Sequence, residues 1–541
     1  IYNKGQNGDI NAKLVGNKSR YGGAIYNMGQ IGDITGLFQK NIAGSNSYAA
    51  AGAIFNGTGA SVGNINADFI NNSNTTLSAA SPGGAITNYG TMKNIKGNFT
   101  GNCTGYYHGG AIYNEGTIGD IESDFTGNYS RGFKGGAIAN YDYKAVINSI
   151  TGNFIGNHSR NQGGAIENKG KIGDITGYFE NNYSNSDRGG AICNQTGSIE
   201  AIKADFKYNY SKGTFSSDRA CGGAIYNDAK ITSIEGDFIG NYAFSTGNNT
   251  YAYAGAMYLS GTNTINNINS NFTNNFASST GQYAHGGAIY ISSTVTSLIG
   301  NFDKNYAIST SGNAEGGAIY MSGGKFSNLK GDFTGNYVKS ESGDVKGGAI
   351  LNYNDNTYSS ISSMFESNFK NNYAISETGT ALGGAIYTKG IGITFLADGK
   401  TNEFTGNYTQ VNGVKDDNAI YVGSYSNSNT NSINISAITF DMKNGGSYIM
   451  NDNIAGDDGY TINLVGDGTD TVFDLNNTIS GKFNLSMNNT TLDINNNVID
   501  SFTLGKFTSS GTSKIKIDLD YTNGLVDNFV ADTSSTGTLI I

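Results

Sequence analysis

Side chains able to do acid–base, nucleophilic or metal chemistry are sparse in this chain of 541 residues. Its three histidines, His108, His158 and His285, lie far apart, and two of them directly precede a Gly-Gly pair. That placement reads as corner residues rather than as a proton shuttle. A polysaccharide lyase or hydrolase would need clustered carboxylates, or a base beside them. Adjacent aspartates of that kind stand at Asp416-Asp417 and Asp457-Asp458, both in irregular stretches, and the chain has no Trp to offer as a sugar platform. Cys103, Cys193 and Cys221 are odd in number and lack zinc-like spacing. The expectation is a protein without catalytic residues, resident cofactor or metal.

The candidate cation features are weak for physical reasons. Gly466-Asp467-Gly468-Thr469-Asp470-Thr471-Val472 loosely matches a calcium-binding nonapeptide, but Val465 stands where the first Gly should be. Such a site is completed by neighbouring copies, and this is a single one, so calcium at Asp467 and Asp470 is a minor possibility. With 14% charged residues and a net charge of −10, the chain lacks the clustered Lys and Arg that nucleic acid requires. There is no run of about 18 apolar residues to cross a membrane as a helix. Ile1-Tyr2-Asn3 aligns with Ile25-Tyr26-Asn27 and reads as the tail of a cut repeat, so a longer precursor is expected, with any membrane attachment through a C-terminal anchor outside this chain.

Two alternating words position everything else. The first is Gly22-Gly23-Ala24-Ile25-Tyr26-Asn27, with Gly-Gly-Ala-Ile returning down to 383–386 and a degenerate copy at Asn418-Ala419-Ile420-Tyr421. The second is Phe-x-x-Asn, from Phe38-x-x-Asn41 to Phe404-x-x-Asn407. A fixed period of this kind marks a solenoid. Gly, Asn, Ser, Thr, Ile and Tyr disfavour helix and suit short strands between turns. The predicted fold is all-β, a right-handed parallel β-helix of about fourteen regular coils over 1–423. A less regular β-helical segment is expected over 424–541.

Comparing copies within the chain assigns directions. Ile34, Gly36 and Phe38, like Ile65, Ala67 and Phe69, alternate large, small, large at period two, which is one face of a strand. That face should point inward. The position before each Phe is mostly Asp or Asn, read as a solvent-facing hydrogen-bonded ladder, with a cation-binding edge as the sharper alternative. In the first word Gly22 and Gly23 should shape a corner, Ala24 and Ile25 fill the core, and Asn27 join a buried amide stack. Asn41 should pin another corner through left-handed backbone angles. Asn128-Tyr129-Ser130 and Asn182-Tyr183-Ser184 match glycosylation acceptors, but their Asn belongs to the repeat. The position after Ile tolerates Thr87, Glu167 and Cys193, so it should face out. Its members Tyr226, Tyr258, Tyr290, Tyr320 and Tyr387 form the candidate contact stripe, and the longer Ser/Thr/Gly/Asn insertions of coils 206–385 should be polar loops on one side.

The paired words resemble those of the chlamydial polymorphic outer membrane proteins, over about residues 1–423. Gly481-Lys482-Phe483-Asn484-Leu485 and Ser513–Asp520 are similar to the passenger stem of autotransporters. This resemblance implies an exported β-helical passenger on a Gram-negative surface, acting as an adhesin or structural surface protein. Its partner would be a protein or glycan on a host or neighbouring cell, or other copies of itself in a lattice or filament. A polysaccharide-degrading enzyme is the remaining alternative.

Overall fold

The computed structural model describes residues 1–44, 50–76, 82–214, 219–354, 363–390, 392–427, 432–468 and 470–531. Among the described residues there is no helix, and the strands form long parallel ladders. The protein is a parallel β-helix. It comprises two compact units, Ile1–Ser270 with Ala277–Gly281, and Asn271–Phe276 with Gln282–Ile541.

In the first unit each coil contributes three faces. The first-face strands are short, as in Ile25–Asn27, and stack without slippage: Ile25 on Ile54, Ile54 on Ile86, and so on to Ile225 on Met257. The second face, as in Ile34–Gln39, keeps Phe38 on Phe69, Phe69 on Phe99, and Phe206 on Phe238. The third face, as in Ile42–Ala43, continues through Tyr129, His158, Tyr183 and Tyr210. The predicted inward set is buried: Ile34, Ala67, Phe38 and Ile25 belong to the core. Neighbouring phenyl rings lie nearly parallel, with centroids 4.9 Å apart for Phe38 and Phe69 and 4.6 Å for Phe69 and Phe99. Such pairs add about 0.5–1.5 kcal/mol each beyond area burial. A one-residue slip would turn this whole set outward, so the Phe column locks the register.

The two asparagine columns do the polar equivalent. Asn27 Nδ2 donates to Asn56 Oδ1 at 2.8 Å, Asn56 to Asn88 at 2.8 Å and Asn88 to Asn114 at 2.9 Å. The second column runs Asn41, Asn72, Asn102, Asn128, Asn157, Asn182, all fully buried. There each Oδ1 accepts twice from the coil before: Asn157 Oδ1 takes the backbone N–H of Asn128 at 2.9 Å and its Nδ2 at 3.0 Å. The second hydrogen of Asn128 Nδ2 goes to the Phe99 carbonyl at 2.9 Å. Burial of Asn128 and Asn182 leaves neither available to glycosylation.

Two expectations are corrected here. Asn41 and its counterparts do not take left-handed angles; the residue before them does, at Lys40 (φ 52), Asn71 (φ 52) and Tyr208 (φ 56). The Asn is held instead by its amide ladder. The insertions of coils 206–385 are not simple loops, because they form a fourth strand. In the first unit Arg219–Cys221 pairs in parallel with Tyr251–Tyr253.

The second unit repeats the plan, with Ile289, Ile319, Ile350 and Ile386 in register on the first face and Phe272, Phe302, Phe333, Phe369 and Phe404 on the second. Its fourth strand stacks Ala284, Ala314, Val345 and Ala381. The loss of both words near residue 424 is not a structural boundary. Ile393–Asp398 pairs in parallel with Ala437–Lys443, which pairs with Tyr460–Val465, then Lys482–Asn488, then Ser501–Ser510. The tail is a β-helix with shorter coils, as expected.

The Gly-Gly corner divides its work between two constraints. From Gly83 onward the first Gly takes φ near +65, as at Gly163 (φ 62), whereas Gly22 is not left-handed. A Cβ on the second would sit 1.9 Å from the next coil's carbonyl, as for Gly164 against Gly190 O. By contrast Gly127 is left-handed (φ 60) with nothing within 4 Å of its Cβ position. Gly127→Ala should therefore lower stability by about 1–2 kcal/mol, whereas Gly164→Ala should open the local coil. Hydrogen exchange across residues 160–195 reads the difference; equal protection in the two variants would refute the corner assignment.

Candidate functional site

Of the stripe expected to face solvent, two members are covered and three are half-buried. It does leave the helix core, but the chain segment before each Gly-Gly passes over it. Tyr226 is only 5% exposed and Tyr387 only 7%. Tyr258, Tyr290 and Tyr320 are half-buried. In the first unit Tyr226 stacks on Tyr258 at 5.0 Å, with the Arg188 guanidinium 4.8 Å above its ring. Cys193, Cys221 and Tyr226 form a small apolar cluster outside the main core, joined by Tyr253 and Tyr258. In the second unit Tyr290 stacks on Tyr320 at 5.1 Å, and Tyr387 stacks on Tyr421 at 5.8 Å. Leu351 lies between Tyr320 and Tyr387 in register and breaks that column. The tolerance of Glu, Thr and Cys that suggested an outward face reflects a secondary core with its own polar partners.

Those partners are best seen around Glu167, which is fully buried. Its Oε1 lies 3.4 Å from Lys134 Nζ, and its Oε2 has no hydrogen-bond partner. Lys134 Nζ also donates to Gln195 Oε1 at 3.2 Å. Gln162 Nε2 donates to Asp187 Oδ2 at 2.8 Å, and Asp187 Oδ1 accepts from Arg188 Nε at 3.1 Å. Burial pushes the Glu167 carboxyl up, against the opposing pull of Lys134. Burial likewise raises the Cys193 and Cys221 thiols, and Cys103 is raised for the same reason. A thiol held protonated is a poor nucleophile and ligand, so the cluster is built for packing.

The remaining chemistry-bearing residues have structural partners. Asp457 accepts from Tyr421 Oη at 2.7 Å, Ser424 N at 2.7 Å and Ser424 Oγ at 2.8 Å. Asp417 pairs with Lys415 at 2.8 Å, and Asp416 Oδ1 accepts from Asn453 Nδ2 at 3.3 Å. His158 stacks between Tyr129 at 5.2 Å and Tyr183 at 4.6 Å. His108 is buried against Tyr141 at 4.0 Å, and burial, with Lys134 and Lys169 nearby, pushes its pKa down to about 3. Asp467 Oδ2 accepts from Asn444 N at 2.7 Å, while Thr469 of the calcium-like stretch lies outside the described residues. Among the described residues no group of three or more His, Cys, Asp and Glu is placed to hold a metal ion. A groove of about 650 Å³ on the second face is lined by Asp120, Glu122 and Asp124. All three carboxylates are engaged, with Ser149 Oγ at 2.6 Å, Lys96 Nζ at 2.7 Å and Asn153 N at 2.8 Å. The last contact belongs to the Asp/Asn ladder expected before each Phe, in which a carboxylate accepts a backbone N–H of the next coil.

Two features went unread in the sequence. From Tyr129 onward the residue after each Phe-x-x-Asn belongs to an aromatic stack on the outer side of the third face, where Ile42, Ser73 and Cys103 stand in the first copies. In the first unit it runs Tyr129, His158, Tyr183, Tyr210, Tyr242, with successive centroids 4.6–5.2 Å apart. In the second it runs Phe276, Tyr306, Tyr337, Tyr373, Tyr408, at 4.8–5.2 Å. Every ring is half-buried. The signal was the near-constant aromatic after the repeat Asn. The other feature is a cleft of about 270 Å³ in the second unit, lined by Tyr283, His285, Glu315, Lys346, Tyr353, Tyr387 and Lys389 among others. His285 Nε2 lies 3.2 Å from Glu315 Oε2 and its ring stacks on Tyr320 at 4.2 Å, while Glu315 Oε1 is 3.7 Å from Lys346 Nζ. Burial pushes the Glu315 carboxyl up, but His285 and Lys346 outweigh it and hold it below the usual range.

No protein-family model, curated protein or solved structure matches this chain.

Glu167 and the thiols each give a test. Because the folded-state pKa of Glu167 is raised, the folded protein bears a buried charge only above that pKa, and the penalty vanishes below about pH 4. Glu167→Gln should thus raise stability at pH 7 by on the order of 1 kcal/mol, read as a higher melting temperature, with the gain fading as pH falls towards 4. A loss of stability at pH 7 would mean that the Lys134 pair dominates. With a maleimide at neutral pH, the native protein should label at Cys103 alone within minutes and at all three cysteines once unfolded.

Proposed function

We propose that this chain is a non-enzymatic, exported surface protein that acts as an adhesin, a β-helical passenger of the autotransporter kind. The single observation carrying the reading is the pair of third-face aromatic stacks. They are half-buried, sit on a scaffold whose register is fixed by the Phe and Asn columns, and include Tyr, a residue favoured in interfaces because it gives large amphipathic area. The rings lean on one another, so little side-chain freedom is left to lose on binding. The charged residues support the same reading from the other side, since the paired carboxylates have structural partners rather than a shared reacting centre. Localisation at a bacterial cell surface and a protein or glycan partner on another cell follow from the repeat resemblance together with this surface.

The test uses the full chain, fluorescently labelled, on cultured epithelial cells and on a bacterial lawn. Replacing Tyr306, Tyr337 and Tyr373 together by Ala should reduce retention at least about tenfold, as expected for loss of interface aromatics. The equivalent change at Tyr258, Tyr290 and Tyr320, which are partly covered, should reduce it less. Unchanged retention in the first variant, with its melting temperature within a few degrees of the parent, would overturn the reading. So would any depolymerisation of purified polysaccharides by clean protein. Light scattering of the parent distinguishes retention of single chains from that of self-associated copies.

A further inference from the structure

The tyrosine-rich cleft of the second unit carries an inference that rests on the adhesin reading and goes further, to ligand chemistry. Four elements of the repeat converge there. Tyr353 and Lys389 lie in register on first-face strands that run past the usual Asn, with the Lys389 ammonium 5.4 Å from the Tyr353 ring centroid. Lys346, from the fourth strand, lies 5.5 Å from the Tyr387 ring centroid. Glu315, one coil back on the fourth strand, lies beside Lys346 and His285 rather than Lys389.

The charge balance decides what the cleft can take. Glu315 is held ionised between His285 and Lys346, so its charge is already matched within the site. Among the described residues no carboxylate lies within salt-bridge distance of Lys389. Asp457, whose carboxyl is raised by burial but held low by its hydrogen bonds from Ser424 and Tyr421 and, more weakly, by the Lys389 charge, bonds to those residues and not to Lys389. On a chain of net charge −10, this leaves the Lys389 ammonium at the edge of an aromatic cleft without a carboxylate in contact among the described residues. An anionic group can meet Lys389 through a charge-assisted hydrogen bond.

Size and lining narrow the class. A volume of about 270 Å³ falls below the ~300–1,000 Å³ range of drug-sized pockets and suits one ring rather than an extended chain. Leu351, the aliphatic lining residue, is itself buried, so there is no apolar hole for a peptide side chain. What the cleft offers is tyrosine surface and polar groups. Asn313 Oδ1 accepts from Asp344 N at 3.0 Å, and among the described residues no hydrogen bond takes its Nδ2 donors. Aromatic surface with amide and cationic donors is the complement of a hexose ring bearing an acid. We propose that this cleft binds a single acidic sugar residue, a hexose carrying a carboxylate or sulfate ester, with Lys389 meeting the anion and Tyr353 the ring.

The experiment is saturation-transfer NMR and calorimetry on the full chain with three soluble probes: methyl glucuronoside, methyl glucoside 6-sulfate and methyl glucoside. The acidic probes should bind, and the neutral one at least about tenfold more weakly. Lys389→Gln should remove that preference, Tyr353→Ala should weaken both acidic probes, and raised salt should weaken the parent only. Lys389 reaches solvent and has no ion-pair partner among the described residues, so its substitution should leave the melting temperature unchanged; Lys96→Gln, on the second face, is the control that should bind like the parent. Preference for the carboxylate or for the sulfate probe identifies the source of the anion. Equal binding of all three, binding that survives Lys389→Gln with its preference intact, binding of N-acetylglutamate as tight as that of the sugars, or no binding at all would each overturn the proposal. Cell retention of Lys389→Gln separates the two readings: retention kept while the sugars fail to bind refutes the cleft alone, and retention lost only with the third-face tyrosines refutes it as the adhesive site.

Discussion

Everything in this fold depends on one requirement: each coil must complete the hydrogen bonds of the coil beside it. The asparagine columns meet it most economically. A carboxamide has one acceptor oxygen with two lone pairs and two N–H donors, and in the second column all four are used. Buried amides are tolerable only when paired, and here the pairing partner is another copy of the same residue about 4.8 Å away. That is why both words recur so rigidly: a substitution would strand a donor in one coil and an acceptor in the next. The column also needs an end. In the second unit Asn407 donates to Asp452 Oδ2 at 2.7 Å, and Asp452 also accepts from the Gly406 and Asn407 N–H groups. A carboxylate only accepts, so it closes the relay without asking a further coil for an acceptor. Burial raises its pKa, which is the cost of that termination. In the first unit the other column ends differently: Asn227 turns its Nδ2 back to the Ala229 carbonyl at 2.9 Å, and Leu259 follows in register.

The same stacking distance governs charge. Like charges one coil apart would repel across a few ångströms, and the outer ladders avoid this by alternating residue types or by giving each carboxylate a backbone donor. Asp205 and Asp237, which are adjacent, use the second device: Asp237 N donates to Asp205 Oδ1 at 2.9 Å. Lys96 with Glu122, and Lys203 with Asp174, use the first at 2.7 and 2.8 Å. Both pairs are well exposed, so they contribute little stability and serve chiefly to keep repulsion out of the stack. Glu167 is the exception that was moved indoors, and its orphaned oxygen marks what the device otherwise prevents.

Most of the scaffold was legible because solenoid repeats supply their own alignment. Ile34, Gly36 and Phe38 announce an inward face by alternation alone, and the exchange of Asn227 for Leu259 within one column identifies that column as buried. What escaped was the fate of the position after Ile25. Residue tolerance distinguishes the interior of the coil from its exterior, but not an exposed exterior from one roofed by a segment thirty residues away. Tyr226 and Cys193 needed Cys221 and Arg188 to be placed before their burial could be seen. Likewise the left-handed corner was assigned to Asn41 from its type, whereas the amide ladder holds Asn41 extended and passes the strain to Lys40. The third-face aromatic stack escaped for a different reason: its signal was present, but the invariant Asn beside it drew the attention.

The roof explains where binding surface can exist. A β-helix has as many outward columns as it has faces, and here the first is sealed by the segment preceding Gly-Gly, becoming a second thin core that stiffens the coil. The second carries ladders of Asp and Asn with saturated hydrogen bonds. Rigid aromatic surface therefore remains on the third face, and an open concavity forms in the second unit where the first-face column becomes irregular. That irregularity has a local cause. Leu351 replaces Tyr in the first-face column, and strands Ile350–Asn354 and Ile386–Gly390 overrun their usual length, so Tyr353 and Lys389 project beside a shortened aromatic stack. Variation in a repeat protein matters where it interrupts a column, because there the overrunning strands bring Tyr353 and Lys389 to the edge of the cleft.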